Sequence, residues 1–229
     1  MSKYKYLLFD NDGTLMDFDA DEKVAFETCY NSYNFSVPFS KELMDIYSKI
    51  NLGWWEKLEK NQCTKAELTI GRFADFFKAL NINGDAADMA KQFPICLGTQ
   101  NQLLPNALEI LEKLSKQYKI IIITNGIAET QYSRIENSPM HKYIDKIFVS
   151  EETGFAKPAK EYFDYVLNHL NITDKSECIV IGDRLNSDIK GANTCGLDCI
   201  WCNPENEDNN GFEITHEIHD LLELVDILL

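Results

Sequence analysis

Successive apolar positions, rather than alternating ones, mark the strands of this chain. Tyr6-Leu7-Leu8-Phe9, Ile120-Ile121-Ile122-Ile123, Ile147-Phe148-Val149 and Cys178-Ile179-Val180-Ile181 leave no polar face to turn toward water. That is the pattern of strands covered on both sides in a parallel sheet. The expected strands are the run ending at Asp10, then Lys119 to Ile123, Lys146 to Val149, Cys178 to Ile181 and Leu197 to Cys202. Between them, helical spacing of apolar residues predicts helices at Asn106 to Gln117, Ala128 to Ile135, Glu161 to Leu170 and Ile189 to Cys195. A polar loop, Asn203 to Gly211, precedes a terminal helix expected around Glu217 to Leu228. Strands alternating with helices in this way predict right-handed crossovers and an α/β fold whose central parallel sheet is flanked by helices.

Residues 16–98 break the alternation, with helical periodicity and no strong strand signal. Helices are expected at Asp21 to Tyr33, Lys41 to Leu52, Trp54 to Asn61, Lys65 to Leu80 and Ala86 to Phe93, with Gly53 and Asn81 to Gly84 among the breaks. The chain thus reads as an α/β core, 1–15 and 99–229, interrupted by an α-helical insertion, 16–98.

Polar residues gather where the strands end. Asp10 and Asp12 flank one residue at the end of the first strand, and side chains two apart on a strand leave from the same face, with Asn11 pointing away. Gly13 then permits a sharp exit. Ligands of parallel sheets sit beyond the carboxyl ends of the strands. Thr124-Asn125-Gly126, Lys157-Pro158, Asp183 and Asp188 are therefore expected to converge on the same crevice as the two aspartates. Carboxylates crowded together repel one another, so such a site needs a cation, and Mg²⁺ with its preference for hard oxygen ligands is the expected one.

In order along the chain, Phe9-Asp10-Asn11-Asp12-Gly13-Thr14-Leu15, Thr124-Asn125-Gly126, Lys157-Pro158 and Gly182-Asp183-Arg184-Leu185-Asn186-Ser187-Asp188-Ile189 resemble the four motifs of the haloacid dehalogenase (HAD) superfamily. The resemblance implies a Rossmann-like core with an inserted helical cap, and phosphatase chemistry through an aspartyl phosphate. Asp10 would be the nucleophile, and Asp12 the acid that protonates the leaving group and then the base that activates water. Thr124, Asn125 and Gly126 would bind the phosphoryl oxygens, and Lys157 would neutralise charge between phosphate and nucleophile. Asp10, Asp183 and the carbonyl of Asp12 would hold Mg²⁺, with Asp188 orienting metal-bound water. Within the superfamily, Ser150 to Pro158 and Gly71-Arg72-Phe73 resemble the YjjG/YfnB-like group of pyrimidine 5′-nucleotidases. That implies a nucleoside 5′-monophosphate substrate, with Arg72 bonding base or phosphate and Trp54, Trp55, Phe73, Phe76 and Phe77 available to stack on a base.

Composition narrows the partners. A formal charge of −15 opposes any broad nucleic-acid backbone or anionic membrane surface, leaving a small phosphorylated metabolite as the expected partner. No apolar run approaches the ~20 residues that span a bilayer, and Met1-Ser2-Lys3-Tyr4 passes into the first strand with no signal peptide, so a cytoplasmic location is expected. Seven irregularly spaced cysteines suit a reducing compartment. Cys199 and Cys202 with His216 and His219 superficially suggest zinc, but the cysteines fall on opposite sides of one strand, and packed cysteines with two histidines on a helix face are expected instead. Competing readings are a sugar-phosphate phosphatase, a β-phosphoglucomutase-like enzyme, a 2-haloacid dehalogenase and a non-catalytic binding protein. A dehalogenase needs neither a second carboxylate acid nor a metal, so Asp12, Asp183 and Asp188 argue for phosphate chemistry.

Overall fold

A computed structural model describes residues 3–60 and 62–229, so Met1, Ser2 and Asn61, the expected end of one helix, lie outside the described residues. The elements run β1 (Tyr6–Phe9), α1 (Phe18–Asn31), α2 (Lys41–Glu59), α3 (Lys65–Leu80), α4 (Ala86–Gly98), α5 (Ala107–Leu114), β2 (Lys119–Thr124), α6 (Ala128–Glu136), β3 (Lys146–Val149), α7 (Ser150–Thr153), α8 (Lys160–His169), β4 (Cys178–Gly182), α9 (Lys190–Cys195), β5 (Asp198–Cys202), β6 (His216–Ile218) and α10 (Leu224–Leu228). The chain forms two compact units, one comprising the residues up to Phe18 with Asn101–Leu229, the other Asp19–Gln100. Among the described residues no helix is long and apolar enough to cross a membrane.

In the first unit all six strands are parallel, in the order β3-β2-β1-β4-β5-β6. Strand periodicity sorts their side chains onto two buried faces. Leu7, Phe9, Ile120, Ile122, Ile179, Ile181 and Ile200 meet the apolar faces of α5 and α10 on one side. Leu8, Ile121, Ile123, Val180 and Trp201 meet Tyr162, Phe163 and Val166 of α8 and Ala192 of α9 on the other. With helices on both faces, no strand position can be polar without a partner, which is why the apolar runs were uninterrupted.

Two expectations fail at this unit's end. The terminal helix predicted from Glu217 does not start there, because His216–Ile218 pairs in parallel with Ile200, Trp201 and Cys202 as an edge strand. Thr215 locks it in place: its Oγ1 accepts from the Cys199 amide at 3.0 Å, and its own amide donates to the Cys199 carbonyl at 3.2 Å. The helical turns begin after Asp220, which forms a capping box with Glu223. The two histidines consequently share no helix face; His216 opens β6, and Nδ1 of His219 lies 2.6 Å from the Asn203 carbonyl oxygen.

The helical unit is built on aromatic rings. Phe26 stacks on Tyr47 with centroids 3.9 Å apart and meets Phe76 edge-on at 5.2 Å, while Phe93 packs against Phe73 at 5.6 Å. Two helices run past their expected ends. α2 continues through Gly53 to Glu59, its first half anchored by the buried Leu43, Met44, Tyr47 and Asn51, although a helical glycine costs about 1 kcal/mol relative to Ala. Likewise α4 continues through Pro94, because Met89, Ala90, Phe93 and Leu97 keep one face buried across it.

This core also claims residues expected to touch substrate. Phe73, Phe76 and Phe77 are buried in it. Trp54 is engaged at both ends, Nε1 donating to Asp75 at 3.0 Å and the Lys57 ammonium lying 4.4 Å over its ring. Arg72 is 2% exposed, with its guanidinium 4.9 Å from the centroids of both Phe73 and Phe93 and Nη1 donating to Asn51 Oδ1 at 3.0 Å. Asn51 in turn donates to Glu22. Two rings and Asn51 thus hold the Arg72 guanidinium within the helical unit.

Candidate active site

Asp10 follows the last residue of β1 and Thr124 ends β2, while Gly182 ends β4 and hands the chain to Asp183; these are adjacent central strands. Lys157 arrives from the loop between α7 and α8, and Asp188 from a π-helical turn, Leu185–Ile189. Lys157 Nζ donates to Asp10 Oδ1 and Asp188 Oδ1, both at 2.7 Å, and to the Ile123 carbonyl at 2.8 Å, so its three protons are all used. Carboxylate oxygens of Asp10, Asp183 and Asp188 lie within 4.8 Å of one another.

The Lys157 ammonium pairs with two of these three carboxylates, and Arg184 adds positive charge toward Asp183 without offsetting burial and the Asp188 charge. Burial and the Asp188 charge hold the Asp10 carboxyl well above its usual range, against the pull of Lys157. Burial and Asp188 likewise push Asp183 up to about 6. Burial alone would lower Lys157, but the charges of Asp10 and Asp188 outweigh it and keep the ammonium protonated. Three hard oxygen donors, short of positive charge and screened from water, fit a hard divalent cation such as Mg²⁺.

The stability of the metal-free protein should report this strain. A carboxyl at about 6 when folded, against an ordinary 3.8, binds its proton more tightly in the folded state. Stability is therefore lost as pH rises through that window, by an amount of order 3 kcal/mol. We expect the melting temperature in EDTA to lose this contribution mainly between about pH 4 and pH 6, and Asp183→Asn to flatten the slope. Calorimetric melts across that range check it, and a wild-type melting temperature that climbs with pH would refute it.

The geometry around Asp12 departs from expectation. Strand β1 stops at Phe9, so the two-residue period does not extend to Asp12. The chain instead turns at Gly13, which has φ +86° and donates its amide to the Met16 carbonyl. A Cβ there would lie 2.6 Å from Asp183 Oδ2, so only glycine allows both the turn and the carboxylate's approach. Asp12 is held by α6: Gln131 Nε2 donates to Oδ2 at 2.7 Å and Arg134 Nη1 to Oδ1. Nor does Asn11 point to an idle face, since its Nδ2 donates to Gln131 Oε1 at 2.7 Å.

Asn125 has a role beyond its backbone. Its Nδ2 donates to the Lys157 carbonyl and its Oδ1 accepts from the Lys157 amide, both at 2.8 Å, tying the end of β2 to the loop that carries the lysine. Thr124 Oγ1 accepts from the Gly126 amide at 3.0 Å. Sequence reasoning passed over Thr14, which donates to Asp183 Oδ1 at 2.9 Å, and over Gln131 and Arg134. A signal for the last two was present: α6 buries Thr130, Gln131, Arg134 and Ile135, so its inward face is largely polar where an apolar stripe is the norm.

The sequence profile of haloacid dehalogenase-like hydrolases matches residues 4–196. The HAD-hydrolase YfnB of Bacillus subtilis is 36% identical over 229 residues, covering 100% of this chain and 97% of that protein. Its magnesium-bound crystal structure superposes with a TM-score of 0.92 over 98% of both chains. The pyrimidine 5′-nucleotidases PynA of Streptococcus pneumoniae and YjjG of Escherichia coli are 32% and 31% identical; the alignments span 98% and 99% of this chain, and 95% and 98% of those proteins. With the profile matched over most of its length and relatives similar from end to end, the chain belongs to the haloacid dehalogenase-like hydrolases.

Proposed function

We propose that this hydrolase is a Mg²⁺-dependent phosphatase that works through a phosphoryl group carried on Asp10, with pyrimidine nucleoside 5′-monophosphates as its substrates. The observation that carries the phosphatase reading is the buried Lys157 ammonium held between Asp10 and Asp188 beside Asp183. An anionic nucleophile and an anionic phosphoryl group meet only where fixed positive charge offsets their repulsion. The nucleotide reading rests on the two nucleotidases that align along the whole chain.

Asp10 attacks phosphorus as the bond to the leaving oxygen breaks, and Asp12 gives its proton to that oxygen. Water then attacks the phosphoryl group, Asp12 takes the water's proton, and phosphate leaves with Asp10 restored. Lys157 offsets charge at Asp10 throughout, and Asn125 keeps Lys157 in place. Thr124 through its hydroxyl and Asn125 through its backbone amide supply donors to the phosphoryl oxygens from the end of β2, with Gly126 bracing the Thr124 hydroxyl. Asp10, Asp183 and the carbonyl of Asp12, with Asp188 beside them, would hold Mg²⁺, which would supply further positive charge for the phosphoryl group.

The test is a panel of phosphate esters with Mg²⁺. We expect kcat/KM for pyrimidine nucleoside 5′-monophosphates to exceed that for hexose phosphates by about tenfold or more, the worth of one well-placed remote contact. A preference for a hexose phosphate would overturn the nucleotide reading and leave the phosphatase reading standing. Halide release from 2-chloropropionate with no phosphate released from any ester would overturn both.

A further inference from the structure

Helix α6 places two buried donors on the two oxygens of one carboxylate. Gln131 and Arg134 are three residues apart and so lie on the same helix face. Gln131 is 2% exposed and Arg134 fully buried, whereas the side chain of their shared target Asp12 remains 24% exposed. Each donor takes a different oxygen, Gln131 Nε2 at Oδ2 and Arg134 Nη1 at Oδ1. Two bonds to two oxygens fix the plane of the carboxyl group as well as its position. A carboxylate offers about four acceptor positions, so about two remain, and their directions are set by the clamp.

The clamp is itself held. Gln131 Oε1 accepts from Asn11, the residue between the two aspartates, so the amide cannot flip without losing both bonds. The Arg134 guanidinium lies 5.6 Å over the ring of Phe18. Gly126 is the cost of the arrangement: a Cβ there would lie 2.5 Å from Gln131 Nε2 and 2.7 Å from Cδ. The glycine of Thr124-Asn125-Gly126 thereby makes room for a side chain that ends on the opposite motif.

We propose that Gln131 and Arg134 are positioning residues for proton transfer by Asp12, orienting its carboxyl group when it gives a proton to the leaving oxygen and when it takes one from water. The proposal rests on the acid–base reading of Asp12, and the experiment separates the two. A misdirected acid costs most when the leaving group needs a proton and little when it does not, whereas a collapsed site costs both equally.

The probes are phenyl phosphate, whose leaving oxygen needs protonation, and 2,4-dinitrophenyl phosphate, whose leaving oxygen does not. Gln131→Met, Arg134→Lys and Arg134→Ala are compared with Asp12→Asn in rapid-mixing assays with Mg²⁺. We expect kcat on phenyl phosphate to fall by roughly 10- to 100-fold in the Gln131 and Arg134 variants, with KM within about threefold, as for a misplaced rather than absent catalytic group. On the dinitrophenyl ester the first turnover should stay within about threefold of wild type and be followed by a slow steady state, because the water step still needs an oriented base. Arg134→Lys should recover about tenfold over Arg134→Ala, since it restores a donor without the fork. If Asp12→Asn separates the two esters and the Gln131→Met and Arg134→Lys variants slow both first turnovers equally, or neither, the positioning role is wrong. If Asp12→Asn itself treats the two esters alike, the acid–base reading beneath it fails.

Discussion

Asp10→Asn lowers kcat by roughly 10⁴-fold or more, the scale on which removing a covalent nucleophile acts in other hydrolases. The amide matches the carboxylate in shape and keeps an oxygen for the Lys157 ammonium, so the fold and the lysine's position survive. What it lacks is the nucleophilic oxygen, and no neighbour replaces it. Asp183 and Asp188 are committed elsewhere, the first accepting from Thr14 and the second from Lys157 and the Arg184 amide. Removing one of three crowded carboxylates should also raise the metal-free melting temperature. Initial rates on a nucleotide and on an aryl ester, beside a melt, check both effects, and turnover above about 1% of wild type would remove Asp10 from the nucleophile's role.

Stripping divalent cations with EDTA takes turnover to background, a loss of roughly 10³-fold or more, and Mg²⁺ restores it. The magnitude follows from the charge balance: the Lys157 ammonium is already shared by two carboxylates, so an incoming phosphate adds negative charge to a cluster that is already crowded with it. Ca²⁺ should bind yet fail to restore turnover, because it takes more ligands in looser geometry than a transfer centre tolerates. Rates in metal-depleted buffer, followed by titration of each cation, decide the matter. Full activity after exhaustive chelation would reject the metal-dependent reading.

What the sequence disclosed depended on how local the cause was. Strands covered on both faces must be apolar at every position, so β1, β2 and β4 were legible from a few residues each. Residues at their carboxyl ends were legible as a group for the same topological reason, and Asp10, Lys157, Asp183 and Asp188 do meet. Strand β6 was not, because an edge strand of three residues with His216 and Glu217 exposed leaves no pattern. The expected helix ends at Leu52 and Phe93 fell short because local propensity at Gly53 and Pro94 yields to helices that run on through them, in α4 along a buried face that spans the proline. The partners of Arg72 were not legible, because a cation on an aromatic helix reads the same whatever it faces, and its contacts with Asn51 and the Phe93 ring come from other helices. Gln131 and Arg134 stayed hidden because their importance lies in a contact with Asp12, more than a hundred residues away.

The central place of β1 in the sheet bears on how the protein is made. The strand that precedes Asp10 leaves the ribosome before the other strands of its sheet, yet its two neighbours are β2 and β4, each more than a hundred residues later in the chain. At elongation rates of about 5–20 residues per second, Tyr6-Leu7-Leu8-Phe9 spends several seconds or more without a pairing partner. The nascent chain thus carries its most apolar early segment exposed, while the intervening helical unit, whose contacts are local, can fold in the meantime. The earliest part of the catalytic centre to be synthesised is among the last to be enclosed, and truncated translation products would present that unpaired strand to chaperones rather than a partly working enzyme.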